Sequence, residues 1–296
     1  MLSHITFLLN ILYKYYIQIE RGYMETLRLN STGPTTQLLQ STLKELKFYN
    51  SAIDGIFGIR TQSSVINYQK VNGLNADGIV GPKTWNSLMP YINGFFTYKI
   101  KAGDSFYRLS QDFNTTIDAL IFANPQTDYN NLVIDEEIII PIGSIVQTDI
   151  SYTSEILELN INSFKQVYPF LEFETIGRTV LRKPITSIKF GKGPKEIFYN
   201  AAIHANEWIT SPLLMKFLEN LCKSYVNKQL IFGTDPEKLF EEFSLYIVPM
   251  INLDGVDLVT GLLEPGSFGY NNAQRISFNF PEIPFPSGFK SNIERN

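Results

Sequence analysis

A short apolar run in the second half of the chain limits its possible folds more than any other feature. From Ile197 to Ile203, every residue except Asn200 is apolar. Such a run is typical of a strand that is covered on both faces of a sheet. Apolar residues then recur at helical spacing, at Pro212, Leu213, Leu214, Phe217, Leu218 and Leu221. The sequence therefore predicts a buried strand that leads into an amphipathic helix.

Two potential metal ligands lie between this strand and this helix. His204 and Glu207 follow the apolar run, at the carboxyl end of a strand, where open α/β sheets bind their ligands. An imidazole and a carboxylate can share one Zn²⁺, but catalytic zinc needs three protein ligands and an open position. The spacing alone leaves a second interpretation open, in which His204 caps the helix and Glu207 stabilises its first turn.

The residues around this pair resemble a known enzyme family. The stretch Ala201-Ala202-Ile203-His204-Ala205-Asn206-Glu207-Trp208 and the later stretch Val248-Pro249-Met250-Ile251-Asn252-Leu253-Asp254-Gly255-Val256-Asp257 are similar to the zinc carboxypeptidase (carboxypeptidase A-like) family. Within it they most resemble the bacterial γ-D-glutamyl-meso-diaminopimelate endopeptidases. The resemblance runs from about Phe173 to the end of the chain. It implies a mixed sheet flanked by helices, with zinc bound by His204 and Glu207.

The site implied by this resemblance is incomplete in the 296 residues. The histidines are His4 and His204. In the family the third zinc ligand is a later histidine and the general base is a glutamate, and neither has a counterpart before Asn296. Lys290 lies near the family's transition-state-stabilising cation, with a solvated loop lysine as the alternative. We therefore expect a C-terminally truncated domain that binds zinc weakly or not at all and has no hydrolytic activity. Sheet strands left without neighbours would make it unstable or prone to aggregation.

The pattern between residues 150 and 296 agrees with an incomplete α/β domain. A helix is predicted over 150–168, a hairpin of strands over 173–180 and 185–190, and a buried strand over 243–250. Asn252-Leu253-Asp254-Gly255 is predicted to end that last strand in a turn. Cys222 lies in the helical stripe, so we expect a small buried side chain and not a nucleophile.

Composition narrows the class of protein. With 44% hydrophobic and 18% charged residues over 296 positions, the chain can form two or three folded domains. A net charge of −4 does not favour a nucleic-acid partner. The single cysteine excludes an internal disulfide framework.

Residues 24–93 show the pattern of a small helical domain. Three helical segments alternate with two turns that share the sequence Asp-Gly-Ile-x-Gly, at residues 54–58 and 77–81. Pro82 suits the first position of the third helix. Together with Gly73-Leu74 and Gly81-Pro82-Lys83-Thr84-Trp85, these turns resemble the three-helix peptidoglycan-binding domain.

Residues 95–143 are predicted to form a strand, two helices and a returning strand. The segments Lys101-Ala102-Gly103-Asp104-Ser105, Ala123-Asn124-Pro125 and Ile138-Ile139-Ile140-Pro141 resemble a LysM domain, whose family binds N-acetylglucosamine-containing glycans. The positions that match its glycan-binding loops are Asp104, Ser105, Phe106, Leu132 and Val133. An ordinary turn or packing role for each of them is the alternative interpretation.

The N-terminal residues 1–23 fit none of these domains. Their apolar stretch is interrupted by Asn10 and Lys14 and is short for a membrane span, and it lacks the features of a signal peptide. Glu20-Arg21-Gly22 can be encoded by a ribosome-binding-like sequence, so we expect translation to begin at Met24. We expect no membrane span.

Two hypotheses about function follow. In the first, the chain is part of a zinc endopeptidase that is located at the cell wall or the spore. Its two binding domains retain it on peptidoglycan, because binding at one site raises the local concentration of the other. In the second, it is a non-catalytic protein that binds cell-wall glycans through its N-terminal domains alone.

Overall fold

The computed structural model describes residues 24–294, which divide between residues 89 and 90 into two compact units. The predictions for residues 1–23 lie outside the described residues. None of the helices between residues 24 and 294 combines the length and the apolar character needed to cross a bilayer.

In the described residues up to 93, three helices follow one another, as predicted: α1 (Pro34–Glu45), α2 (Ile59–Val71) and α3 (Pro82–Asn93). Their apolar faces meet in a small core. Its fully buried members include Leu38, Leu39, Leu43, Phe57, Val65, Tyr68, Trp85 and Leu88.

Buried glutamines hold the two Asp-Gly-Ile-x-Gly turns in the same way. The Nε2 atom of Gln40 donates to Asp54 Oδ1 at 2.8 Å and to Thr61 Oγ1 at 3.2 Å, and its Oε1 accepts from the Gly55 N–H at 2.9 Å. Gln69 makes the corresponding bonds to Asp77, Thr84 and Gly78. Gly55 and Gly78 have φ angles of 72° and 73°, which favour glycine.

The second unit begins with a small domain in the predicted βααβ order. Its elements are β1 (Phe95–Lys99), α4 (Phe106–Asp112), α5 (Ile117–Ala123) and β2 (Glu137–Pro141). The two strands pair antiparallel, with Phe95 opposite Pro141. The side chains of Ser105 and Thr116 cap the helices by accepting backbone N–H bonds.

The rest of the unit is an α/β domain with a mixed sheet. Its elements are α6 (Ser154–Val167), β3 (Glu172–Arg178), β4 (Pro184–Phe190), β5 (Lys195–Asn200), α7 (Thr210–Val226), α8 (Pro236–Glu242), β6 (Phe243–Val248), α9 (Leu253–Thr260) and α10 (Phe268–Ser277). The described strands lie in the order β3-β4-β6-β5. Only the β5–β6 pair among them is parallel.

The prediction of a buried strand at Ile197 was wrong. β5 lies at the edge of the sheet, with β6 as its neighbour among the described strands, and all six of its residues are exposed. Ile197, Phe198 and Tyr199 expose 37%, 57% and 49% of their surface. An apolar run predicts a strand, but it does not say whether other layers cover that strand.

Two further predictions need correction. Leu213 was placed in the apolar stripe of α7 but is 71% exposed, and Met215 and Cys222 lie in the core with Leu218. The predicted turn at Asn252 is instead the start of α9, because the Asn252 side chain accepts the Gly255 N–H at 3.1 Å and caps the helix. Cys222 is buried, as predicted.

A buried carboxylate of the α/β domain holds the segment that leaves the βααβ domain. Glu219 on α7 is fully buried and accepts hydrogen bonds from the Ile145 N–H at 2.8 Å and the Val146 N–H at 3.3 Å. Lys216 and Lys223 also contact it, at 2.8 and 2.9 Å. Burial alone would raise the pKa of Glu219, but the two lysines hold it below its ordinary value.

Aromatic rings extend this contact between the two domains. Phe122 on α5 packs edge-on against Tyr225 on α7, with ring centroids 5.6 Å apart, and against Phe170 at 5.8 Å. Thr116 at the start of α5 donates to Asn227 Oδ1 at 2.7 Å. The two domains therefore form one packed unit.

Candidate metal centre

The predicted zinc ligands lie together just after β5. The chain leaves the strand at Asn200, makes a short 3₁₀ turn over Ala205–Glu207 and enters α7. The Nδ1 atom of His204 is 3.0 Å from Oε1 of Glu207. Both side chains are about half exposed, at 54% and 50%.

The capping interpretation of His204 was wrong. His204 occupies the N-cap position of the 3₁₀ turn, yet its side chain accepts no capping bond from the described residues. Its imidazole contacts the carboxylate of Glu207 instead. The two side chains therefore lie together at one partly exposed place.

The separation of these donors fits zinc. Tetrahedral zinc with nitrogen and oxygen ligands at their usual distances places two donors about 3.4 Å apart. The observed 3.0 Å between Nδ1 and Oε1 is the length of a hydrogen bond between the two groups, and it is also near this separation. Within residues 24–294 no group of three or more His, Cys, Asp or Glu side chains is placed to hold a metal ion. Among the described residues, His204 and Glu207 therefore remain two candidate zinc ligands.

Two residues that sequence reasoning missed hold the segment that carries the ligands. Ala202 has a left-handed backbone, with φ at 47°. Its N–H donates to Thr210 Oγ1 at 2.9 Å, and its carbonyl accepts from the Asn252 N–H at 3.0 Å. A threonine at the start of a helix and an asparagine after a strand signal only local capping, so their sequence positions did not reveal this role.

The Lys290 segment lies directly beside the candidate ligands. The Lys290 carbonyl accepts from the Ala205 N–H at 3.0 Å, and Asn252 Nδ2 donates to the Ser291 carbonyl at 3.0 Å. The Lys290 side chain is exposed. Its cationic role in catalysis stays a prediction.

An open, mainly apolar cavity of about 250 Å³ adjoins this segment. Its wall includes Lys290, Ser291, Phe280 and Phe289. The cavity is therefore connected to the ligand segment through the Lys290 carbonyl, which accepts the Ala205 N–H.

The predicted glycan-binding residues have different surroundings. Asp104 accepts from the Tyr98 hydroxyl at 2.9 Å and from the Lys101 N–H at 2.8 Å, while Phe106 is 3% exposed in the core. Ser105 caps α4, and Leu132 packs against the same core. Val133 is 61% exposed. Glycan contact by any of the five stays a prediction.

Three family models match the chain in the predicted order. Residues 32–88 match the peptidoglycan binding domain, residues 98–141 match the LysM domain, and residues 158–277 match zinc carboxypeptidase. These matches confirm the three families recognised in the sequence and the multidomain fold class. The matched residues of the third model include both His204 and Glu207.

Several curated proteins are similar to parts of this chain. Gamma-D-glutamyl-L-diamino acid endopeptidase 1 of Lysinibacillus sphaericus is 38% identical over 143 residues, which are 48% of this chain and 35% of the relative. The uncharacterized protein YqgT of Bacillus subtilis is 35% identical over 152 residues, which are 51% of this chain and 40% of the relative. A spore cortex-lytic enzyme of Halalkalibacterium halodurans is 41% identical over 59 residues, which are 20% and 18% of the two chains. The chain spans less than half of the length of these relatives.

Proposed function

We propose that this chain, with its peptidoglycan-binding, LysM and zinc carboxypeptidase-like regions, belongs to an endopeptidase that cleaves the γ-D-glutamyl bond to diaminopimelate in peptidoglycan stem peptides. The observation that carries the proposal is the His204–Glu207 pair, whose donor atoms are 3.0 Å apart inside the region that matches zinc carboxypeptidase. The name of the Lysinibacillus sphaericus relative supports the bond that is cleaved. The wall-binding domains and the spore cortex-lytic relative support a place at the cell wall or the spore.

Each region has a role in this proposal. The two N-terminal domains hold the protein on glycan strands, so that stem peptides stay at high local concentration near the third region. His204 and Glu207 would contribute two ligands to the zinc ion, which would polarise the scissile carbonyl and lower the pKa of a bound water. Lys290, on the segment bonded to Ala205, stabilises negative charge on the substrate.

The 296-residue chain by itself is proposed to be a weak zinc binder without hydrolytic activity. Catalytic zinc requires three protein ligands and an open position. The described residues supply two, and the one other histidine of the sequence is His4. We therefore expect this chain not to cleave stem peptides.

The test is zinc-dependent binding of a soluble γ-D-glutamyl-meso-diaminopimelate peptide to the purified chain. We expect calorimetry to detect binding with zinc present, loss of binding with a chelator, and loss in His204→Ala and Glu207→Ala. Peptide binding that is indifferent to the chelator and to both substitutions would contradict the proposal. Hydrolysis of the peptide by this chain would contradict its inactivity.

A second candidate function is wall binding without any use of the third region. The matches to two wall-binding families favour it. If it is correct, the protein still binds insoluble peptidoglycan after deletion of residues 150–296, and the whole chain shows no zinc-dependent peptide binding. The endopeptidase proposal shares the first expectation and differs in the second, so the peptide experiment separates the two.

A further inference from the structure

One hydroxyl group spans the segment that carries both candidate zinc ligands. Thr210 Oγ1 accepts the N–H of Ala202 at 2.9 Å and donates to the carbonyl of Glu207 at 2.7 Å. Ala202 precedes His204 by two residues, and Glu207 is the second ligand. The hydroxyl therefore fixes the chain on both sides of the ligand pair.

The conformation that this hydroxyl holds is not one the chain would adopt unaided. Ala202 has a left-handed backbone with φ at 47°, which a residue with a side chain rarely adopts. It persists where the surroundings impose it, here through Thr210 on the N–H and Asn252 on the carbonyl. Without the Thr210 bond, Ala202 can relax towards extended backbone and turn His204 away from Glu207.

Asn252 contacts more elements than Thr210 does. Its side chain caps α9 and reaches the Ser291 carbonyl, so its removal disturbs several elements at once. Thr210 acts through a single hydroxyl on the ligand segment alone. The role of Thr210 can therefore be tested by one isosteric change.

We propose that Thr210 is a positioning residue for metal binding, which sets the separation of the His204 and Glu207 donors through the left-handed turn at Ala202. The proposal rests on the zinc site of the proposed function. It assigns Thr210 no contact with the metal or the substrate. Loss of groups that orient metal ligands typically weakens metal binding about 10- to 100-fold.

The experiment is a zinc sulfate titration of the whole chain, followed by the imidazole signals of His204 in NMR spectra. Histidine labelling gives few signals, because the sequence has two histidines, and His204→Ala identifies the one of interest. Thr210→Val keeps the shape of the side chain and removes the hydroxyl. Thr210→Ser restores the hydroxyl. Thr260→Val is the matched control, since its hydroxyl bonds to the Val256 carbonyl within α9.

We expect Thr210→Val to weaken zinc binding at His204 by about tenfold or more, and Thr210→Ser and Thr260→Val to stay within about twofold of the unsubstituted chain. Hydrogen exchange of the Ala202 amide should accelerate in Thr210→Val alone. A purely structural role would lower the unfolding temperature without this selective loss of zinc affinity.

Two kinds of result would overturn the proposal. If Thr210→Val binds zinc as tightly as the unsubstituted chain, Thr210 has no positioning role. The same follows if Thr210→Val and Thr260→Val lose equal affinity. Either result leaves the zinc site itself intact. No response of His204 to zinc in the unsubstituted chain would overturn both this inference and the zinc site of the proposed function.

Discussion

Gly255 is the residue where the α/β domain leaves least room for a side chain near the candidate ligands. A methyl group at this position would meet Ala205 Cβ at 2.7 Å and the Asn252 side chain at the same distance. Ala205 lies between His204 and Glu207, so a larger residue at 255 must displace the ligand segment or α9.

We predict that Gly255→Ala lowers the free energy of unfolding of the second unit by about 1–3 kcal/mol, because overpacking forces the backbone to shift. Urea denaturation followed by circular dichroism measures the change. Gly143→Ala is the matched control, since nothing lies within 4 Å of its added methyl group. Equal stability of the two variants would contradict the packing argument.

At the scale of single residues, the sequence pointed to the candidate ligands but not to the residues that hold their segment in place. His204 and Glu207 were recognisable as candidate zinc ligands because the residues around them resemble the zinc carboxypeptidase family, whereas their spacing alone left a capping role open. Thr210 and Asn252 were not, because their partners at Ala202 and Ser291 come close only after the strand, the helices and the C-terminal loop have packed. Local patterns carry no information about such contacts.

The two glutamine-held turns are the elements that organise the first unit. Gln40 and Gln69 are buried, and each bonds both the aspartate and the glycine N–H of its turn. The sequence predicted the turns from their Asp-Gly pairs, whereas each glutamine lies in the helix before its turn.

We predict that Gln69→Ala lowers the free energy of unfolding of the first unit by about 2–3 kcal/mol, because it leaves buried backbone groups of the turn without partners. Trp85 is 1% exposed in this unit, so its fluorescence in a Trp208→Phe background reports unfolding here. Asn67→Ala on the same helix is the exposed control and should change the stability by less than about 0.5 kcal/mol. A stability change of less than about 0.5 kcal/mol in Gln69→Ala would refute the prediction.

β5 is the element on which sequence reasoning failed most clearly. Its apolar residues are those of a covered strand, but it lies at the sheet edge with Phe198 57% exposed. Exposed, apolar strand edges pair readily with other chains.

We predict that the purified chain self-associates and that Phe198→Lys reduces the association without lowering the unfolding temperature, because charged residues oppose edge pairing. Sedimentation velocity over a range of concentrations measures it. Phe278→Lys replaces a ring that is 74% exposed outside any strand and should have no comparable effect. Equal effects of the two would point to general hydrophobicity instead of the strand edge.

For the whole molecule, the sequence predicted the order of the three domains but not the contact between the second and the third. The domains are recognisable because turns and apolar periodicity are local. Glu219, a charged residue inside a helix that looks ordinary in the sequence, holds the segment that connects the two domains. Its partners at residues 144–146 lie more than seventy positions earlier.

We predict that the second unit loses stability in acid because the stabilising contribution of ionised Glu219 is lost. Its pKa is lowered in the folded protein from the ordinary 4.5, so its stabilising effect is present above that pH and is lost as the pH falls through the folded pKa. Glu219→Gln should lower stability by about 3 kcal/mol at pH 7. The difference should shrink in acid, as measured by calorimetry.

Glu264→Gln, at an exposed position, is the control and should show no such dependence. A pH-independent difference between Glu219→Gln and the unsubstituted chain would show that the charge of Glu219 is not what stabilises the contact. Loss confined to the α/β domain, with the βααβ domain unaffected, would contradict the joining role of Glu219.

The contacts of Glu219 and Phe122 fix the βααβ domain in place against the α/β domain. Under the proposed function, a sugar chain held by that domain is presented to His204 at one distance and one angle, because no free linker separates residues 95–141 from α7 in the described unit. The stem peptides that come within reach would then be chosen by their position along the glycan. The spacing of the stem peptides along the glycan would then decide which of them can reach His204.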